Sequence, residues 1–240
     1  MTTPDVREAG HGSPILLLHG AAGPASVDTL FTHLAGGHRV IAPVHPGFGD
    51  TTRPDDLDSV AKLARLYLDL LGRLDVTSAT VVGVSFGGWV AAELATAAGH
   101  ERRVTRLVLI DAIGPHIPGH TIRPPSGPPP GGPPPATAGA GGPPRAGLAA
   151  LTAYTGPDMQ DPTLLDRIRK LDIPALLIWG EHDPVISPDF GRAYAAAFPD
   201  ARFELIPGGG HLPMREAPDQ TFAALDTFLN ETLNETGSPQ

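Results

Sequence analysis

The chain contains no cysteine. That excludes disulfides, a thiolate nucleophile and cysteine metal sites. Basic residues are scarce: 17 Lys plus Arg stand against 26 Asp plus Glu, for a formal net charge of −9. Binding to a nucleic-acid backbone needs clustered Lys and Arg, so that class of partner is excluded. Long apolar runs are missing too. The N-terminal "MTTPDVREAGHGSP" is polar, and the apolar run behind it, 15–18, is too short for a signal-peptide core or a membrane span. A soluble, cytoplasmic protein without a membrane span is expected. At 240 residues the chain is long enough for one sizeable core but not two, so 1–240 is expected to be a single domain.

What is present begins with short apolar runs. "PILLLHG" (14–20), "RVIAPV" (39–44), "ATVVGVS" (79–85), "RLVLIDA" (106–112), "PALLIWG" (174–180) and "RFELIP" (202–207) are rich in Val, Ile and Leu and lack clean alternation. Strands buried on both faces of a parallel sheet have this pattern. Residues 5–9 add a candidate edge strand. Amphipathic stretches at about 58–74, 87–98 and 218–233 lie between or after the runs. Strand and helix in alternation predict an α/β fold: a doubly wound, mostly parallel sheet with helices on both faces.

The alternation breaks once, at "GPHIPGHTIRPPSGPPPGGPPPATAGAGGPPR" (114–145). Proline, glycine and alanine dominate it, so it has too little apolar surface to offset its ordering entropy. A flexible loop over 113–147 is expected, with polyproline-II stretches. Two short helices are expected after it, within 148–170. The second starts at "DPTLLDRIRK", with Asp161 as N-cap and Pro162 at the first helical position.

The chemistry gathers around "VVGVSFGGWV" (81–90). Gly83-Val84-Ser85-Phe86-Gly87 fits G-x-S-x-G between an apolar run and a helical one. In that setting the serine sits on a sharp, strained turn, and the glycines let neighbouring backbone pass closely. The hydroxyl is lifted above the C-terminal edge of the sheet, and the Phe86 amide opens a helix whose free N–H groups favour negative charge. Serine needs a base, and the base needs an orienting group. "IPGGGHLPMREAP" places His211 on a glycine loop after the last strand, and "LLIWGEHDPVISP" places Asp183 on the loop after the strand before it. Both loops lie at the same sheet edge as Ser85. Chain order Ser85, Asp183, His211 is the order this kind of motif uses. Asp111, after its own strand, is a lesser candidate for the acid. An oxyanion hole is expected from the backbone N–H of Phe86 and of Ala21 in "LLLHGAAGP", with His19 fixing that loop through hydrogen bonds. Phe48, Trp89 and Leu212 are candidate pocket walls. No cofactor motif is present. His116 and His120 lie among prolines, so no metal site is expected.

Taken together, "HGAAG", "HPGFGDTTRPDD", "GVSFGG", "GEHDPV" and "GGGHLPMREAP" resemble the α/β-hydrolase superfamily over about 14–112 and 172–230. The resemblance implies that fold, the triad Ser85–His211–Asp183, and acyl transfer to water through an acyl-enzyme. The chain departs from the family where a helical cap usually follows the strand ending at Asp111-Ala112, and its N-terminal strands look curtailed. Serine at the nucleophile position disfavours the carboxylate-attack chemistry of dehalogenases and epoxide hydrolases. The expected activity is that of a carboxylesterase on a small-molecule ester, with an open site favouring small or flexible acyl groups. Two alternatives stand beside it: C–C bond or lactone hydrolysis by the same triad, and a non-catalytic scaffold on the same fold.

Overall fold

Apolar runs without alternation become strands whose alternate residues divide between two cores; they are covered on both faces except the last, 201–206, an edge strand that alternates between partly buried and exposed. The computed structural model describes residues 3–99, 103–123 and 145–231. From the N-terminus the chain forms β1 (Val6–Ala9), β2 (Pro14–Leu18), α1 (Asp28–Ala35), β3 (Arg39–Pro43), α2 (Val60–Arg73), β4 (Ala79–Val84), α3 (Phe86–Ala98) and β5 (Val104–Ile110). There follow β6 (Gly114–Pro115), α4 (Arg145–Thr155), β7 (Gln160–Asp161), α5 (Leu164–Ile168), β8 (Ala175–Gly180) and α6 (Pro188–Ala195). β9 (Ala201–Ile206), α7 (Pro213–Glu216) and α8 (Pro218–Asn230) end the described chain.

The main sheet has seven strands in the order β1-β3-β2-β4-β5-β8-β9. Only β1 is antiparallel to its neighbour. On one face Leu16, Leu18, Val81, Leu177 and Trp179 pack against α2, α3 and α6. On the other, Ile15, Leu17, Val82, Val84, Leu176 and Ile178 pack against α1 and α8. Each fully buried Leu, Ile or Val side chain contributes roughly 1.5–3 kcal/mol, so burial on both faces holds the sheet between helices. In α2 the residues Val60, Leu63, Ala64, Tyr67, Leu70 and Leu71 bury one stripe, and the Ser59 side chain caps the helix by accepting from the Lys62 amide.

The strand order positions the site. The chain runs from β2 outward to β3, then returns to place β4 on the other side of β2. The sheet therefore reverses between β2 and β4, where α/β sheets open a crevice beyond their carboxyl ends. β4, β5, β8 and β9 then lie side by side and deliver their C-terminal loops to one edge.

Several local expectations need adjustment. Helices α1 and α6 were not expected from the sequence, although α6 carries a Ser187 cap and Pro188 at its first turn. Asp161 does not cap α5. That helix starts at Leu164, and the Asp161 carboxylate instead accepts from the Thr163 amide at 2.7 Å, a turn closed two residues ahead. The loop expected from 113 keeps regular contacts through Arg123: β6 pairs with β7, and the Arg123 amide donates to Val185. Residues 145–147 belong to α4. Between these, 124–144 lies outside the described residues. No helix among the described residues is long and apolar enough to cross a membrane.

Candidate active site

Ser85 follows β4 directly, with φ 53° and ψ −115°. A non-glycine residue at positive φ is strained by about 1–3 kcal/mol and persists only where its surroundings fix it. Here the surroundings are backbone. The Ser85 amide donates to Ile110 O at 2.9 Å, and Ser85 O accepts from Gly88 at 3.0 Å and from Ile113 at 3.3 Å. A Cβ on Gly83 would lie 2.3 Å from Gly87 O, and one on Gly87 would lie 2.2 Å from Leu18 O. Only glycine fits at either position, so the spacing of the motif is a packing requirement of the bend.

The bend aims the Ser85 hydroxyl at His211. Ser85 Oγ lies 3.0 Å from His211 Nε2, and His211 Nδ1 lies 2.8 Å from Asp183 Oδ2. Asp183 Oδ1 accepts from the Val185 and Ile186 amides at 2.7 and 3.1 Å. With Nδ1–H directed at the carboxylate, the His211 Nε2 lone pair faces the serine O–H. The Asp183 side chain is wholly buried, whereas His211 keeps 14% of its own exposed. Glu216 on α7 brackets His211, accepting from the Gly210 and Leu212 amides at 2.6 and 3.2 Å. Nothing in the sequence pattern singled out Glu216.

The loop after β2 reaches the same point. Leu18 pairs with Gly83, which brings residues 19–22 alongside Ser85. A Cβ on Gly20 would lie 3.0 Å from Ser85 Cβ and 3.6 Å from its Oγ. Ala21 follows Gly20 in this loop, and Phe86 takes the first position of α3 directly after Ser85. Amides in a helix's first turn have no partner within the helix. Two buried histidines hold the loop. His19 Nε2 accepts from the His45 amide at 3.0 Å, so its Nδ1–H donates to Gly20 O at 2.8 Å. His45 Nε2–H donates to His19 O at 2.8 Å, leaving Nδ1 to accept from the Tyr67 hydroxyl at 2.5 Å. His19 must be neutral, because its Nε2 faces an amide N–H and can only accept. Burial lowers the His19 pKa to about 4 and that of His45 well below the usual histidine range. His19 was expected to fix this loop; His45 and Tyr67 were not, because their pairing spans α2.

The candidate wall residues divide. Phe48 and Trp89 lie in the apolar cluster that contains Phe86, and Phe48 stacks on Phe86 with ring centroids 5.8 Å apart. Tyr154 of α4 stacks on the other side of Phe86, also at 5.8 Å, and donates to Pro46 O at 2.9 Å. Leu212 packs instead in the cluster on the opposite face, with Met214 and Leu225. It follows His211 directly, and adjacent residues in extended chain point opposite ways.

Asp111 follows β5 directly, between Ser85 and Asp183 along the sheet edge. One oxygen each from Asp111 and Asp183 and one His211 nitrogen lie within 4.8 Å of one another. Asp183 and His211 bond each other, Asp183 also takes two amides and His211 also meets Ser85 Oγ, which makes Ser85, His211 and Asp183 a hydrogen-bond relay. Such a relay can draw a proton from the serine hydroxyl.

A family model described as "Alpha/beta hydrolase family" matches residues 15–225. A 2-hydroxymuconate semialdehyde hydrolase of Pseudomonas sp. (strain CF600) is 30% identical over 237 residues, covering 90% of this chain and 70% of that protein. Among solved structures, a thermophilic esterase from Thermogutta terrifontis superposes with TM-score 0.74 at 22% identity, covering 94% of this chain and 92% of that one. The enol-lactonase from Burkholderia xenovorans LB400 superposes with TM-score 0.73 at 20% identity, covering 95% and 96%.

Proposed function

The chain belongs to the alpha/beta hydrolase family, and from that premise we propose that it hydrolyses carboxylic esters through an acyl-enzyme on Ser85. The observation that carries this reading is the in-line contact of Ser85 Oγ, His211 and Asp183 at a strained bend beside the Gly20 loop. His211 takes the serine proton as Oγ attacks the ester carbonyl. The Ala21 and Phe86 amides take the developing oxyanion, and Asp183 holds the His211 tautomer and offsets the imidazolium charge. His211 then protonates the leaving alcohol. Water repeats the sequence on the acyl-enzyme and regenerates Ser85 with release of the acid.

The apolar rings around Phe86 suit an uncharged acyl group. Phe48 and Trp89 are almost wholly buried, so they back the wall rather than face solvent. A second reading has support from the relatives. A 2-hydroxymuconate semialdehyde hydrolase and an enol-lactonase are both similar to this chain, and the same three residues serve C–C bond or lactone hydrolysis. A panel of p-nitrophenyl esters from acetate to decanoate, run beside an enol-lactone and a vinylogous 1,5-diketone, separates the readings. Esters of short acyl chains are expected to have the highest kcat/KM, and Ser85→Ala to abolish turnover. Turnover of the diketone or lactone at least a hundredfold above every ester would replace the ester reading with the second.

A further inference from the structure

Asp111 is a buried carboxyl that the proposed reaction does not use. It is wholly inaccessible to solvent and sits at φ 43° immediately after β5. Its Oδ1 accepts from the Gly180 amide at 2.9 Å, and its own amide donates to Ile178 O at 3.0 Å. Its Oδ2 is buried without a hydrogen-bond partner. Asp183 is a near neighbour of Asp111: one oxygen of each carboxylate and one His211 nitrogen lie within 4.8 Å of one another. The arrangement follows from the strand order: β5 and β8 are adjacent, with Ile110 opposite Ile178, so their terminal loops share one edge.

Two carboxylates this close inside a protein disfavour each other's charge, and a single shared proton removes both the repulsion and the unpaired oxygen. Hydrogen bonding decides which one holds it. Asp183 accepts from the Val185 amide, the Ile186 amide and His211 Nδ1–H. Asp111 accepts only from Gly180. Three donors favour the charged form at Asp183, and one leaves Asp111 as the acid. The other charged group facing this cluster is Glu216 of α7. Burial first, then the Asp183 charge and last that of Glu216, drives the Asp111 carboxyl well above the usual carboxylate range.

We infer that Asp111 is a neutral carboxylic acid whose Oδ2–H donates to the Asp183 carboxylate, making it a positioning residue for the proposed triad. The inference rests on the reading of His211 as the base. The proton stays on Asp111 throughout, and no bond is made or broken there. Its effect is to add a fourth donor to Asp183, which fixes the carboxylate plane toward His211. The donor also moderates the pull of that charge on the imidazolium, so His211 can release its proton to the leaving group.

The first test does not require turnover. At pH 8 the infrared spectrum of the wild-type protein should contain the C=O stretch of a protonated carboxylic acid, and the difference spectrum against Asp111→Asn should remove it. Asp111→Asn should also melt about 3 °C or more above wild type at pH 8, with the gap closing toward pH 4. The sign follows because the folded wild type must keep a proton that the unfolded chain releases above the ordinary aspartate range. The second test reads the base. Asp111→Ala removes the donor and should lower kcat about tenfold with KM little changed. It should also move the acid limb of the rate profile, and the His211 ring titration seen by NMR, to higher pH. Asp111→Asn restores a donor and should recover most of the kcat. Absence of the infrared band at pH 8, or a shift of the His211 titration to lower pH in both variants, would mean that Asp111 is an anion and would overturn the inference. If the band is present and the protein turns over no ester, the ester reading falls while the protonated state of Asp111 stands. If Asp111→Ala does not fold, the band and the asparagine variant decide.

Discussion

Replacing His211 with alanine should lower kcat for p-nitrophenyl acetate by about 10⁴-fold or more, with KM changed by less than about threefold. The ring makes its contacts at the reacting atoms, Nε2 to Ser85 Oγ at 3.0 Å and Nδ1 to Asp183 Oδ2 at 2.8 Å. Its loss therefore removes transition-state stabilisation and little ground-state binding. Asp183→Asn should cost a similar factor for a different reason. Asp183 Oδ1 accepts from the Val185 and Ile186 amides, so an asparagine must turn its NH₂ toward His211. That forces the ring into the wrong tautomer. The double variant should be no worse than the poorer single one, since the residues act as a unit. In wild type the rate should fall on acidification as the base takes a proton. Initial rates at saturating and limiting ester concentrations check each of these points. A His211→Ala protein within tenfold of wild type would contradict them.

The second large effect is on stability. His19 and His45 are buried and neutral, with pKa values lowered to about 4 and to well below the histidine range. In the unfolded chain both rings titrate near ~6.5. Between that pH and about 4 the unfolded state binds protons that the folded state refuses, so stability is lost as pH falls through this window. His19 alone accounts for roughly 3 kcal/mol over that span, at ~1.4 kcal/mol per unit. Asp111 works in the opposite direction over the same window, because its raised pKa makes the folded state the proton binder. The loss should therefore be partly masked in wild type and fully visible in Asp111→Asn. Urea midpoints measured from pH 7.5 to 4.5 should fall in both proteins, more steeply in the variant. A flat profile in Asp111→Asn would contradict the neutral His19–His45 pair. Unfolding here also frees the loop that carries Ala21, so activity should be lost along with stability.

The fold was legible in the sequence because its evidence is local. Six apolar runs read as buried strands, and the serine bend announced itself through Gly83 and Gly87, where no Cβ fits. Asp183 and His211 were legible as positions because each follows a strand on a short loop, and the structure brings both into hydrogen-bond contact with the serine relay. What escaped depends on pairings between distant elements. The meeting of Asp111 with Asp183 requires knowing that β5 lies beside β8. The His45–Tyr67 bond requires knowing which turn of α2 faces the loop after β3. Leu212, a candidate wall residue, packs in the core on the other face of the sheet, a placement its sequence position did not reveal. The β6–β7 pair is two residues long on each side, too short to leave a pattern.

The central claim is that Ser85 is the nucleophile, and the most direct measurement is covalent. Wild-type protein incubated with a fluorophosphonate, then analysed by intact mass and peptide mapping, should carry one adduct per chain, on Ser85. Labelling should slow on acidification and should be absent in Ser85→Ala. No adduct on folded wild-type protein, or an adduct at any other residue that persists in Ser85→Ala, would contradict the account.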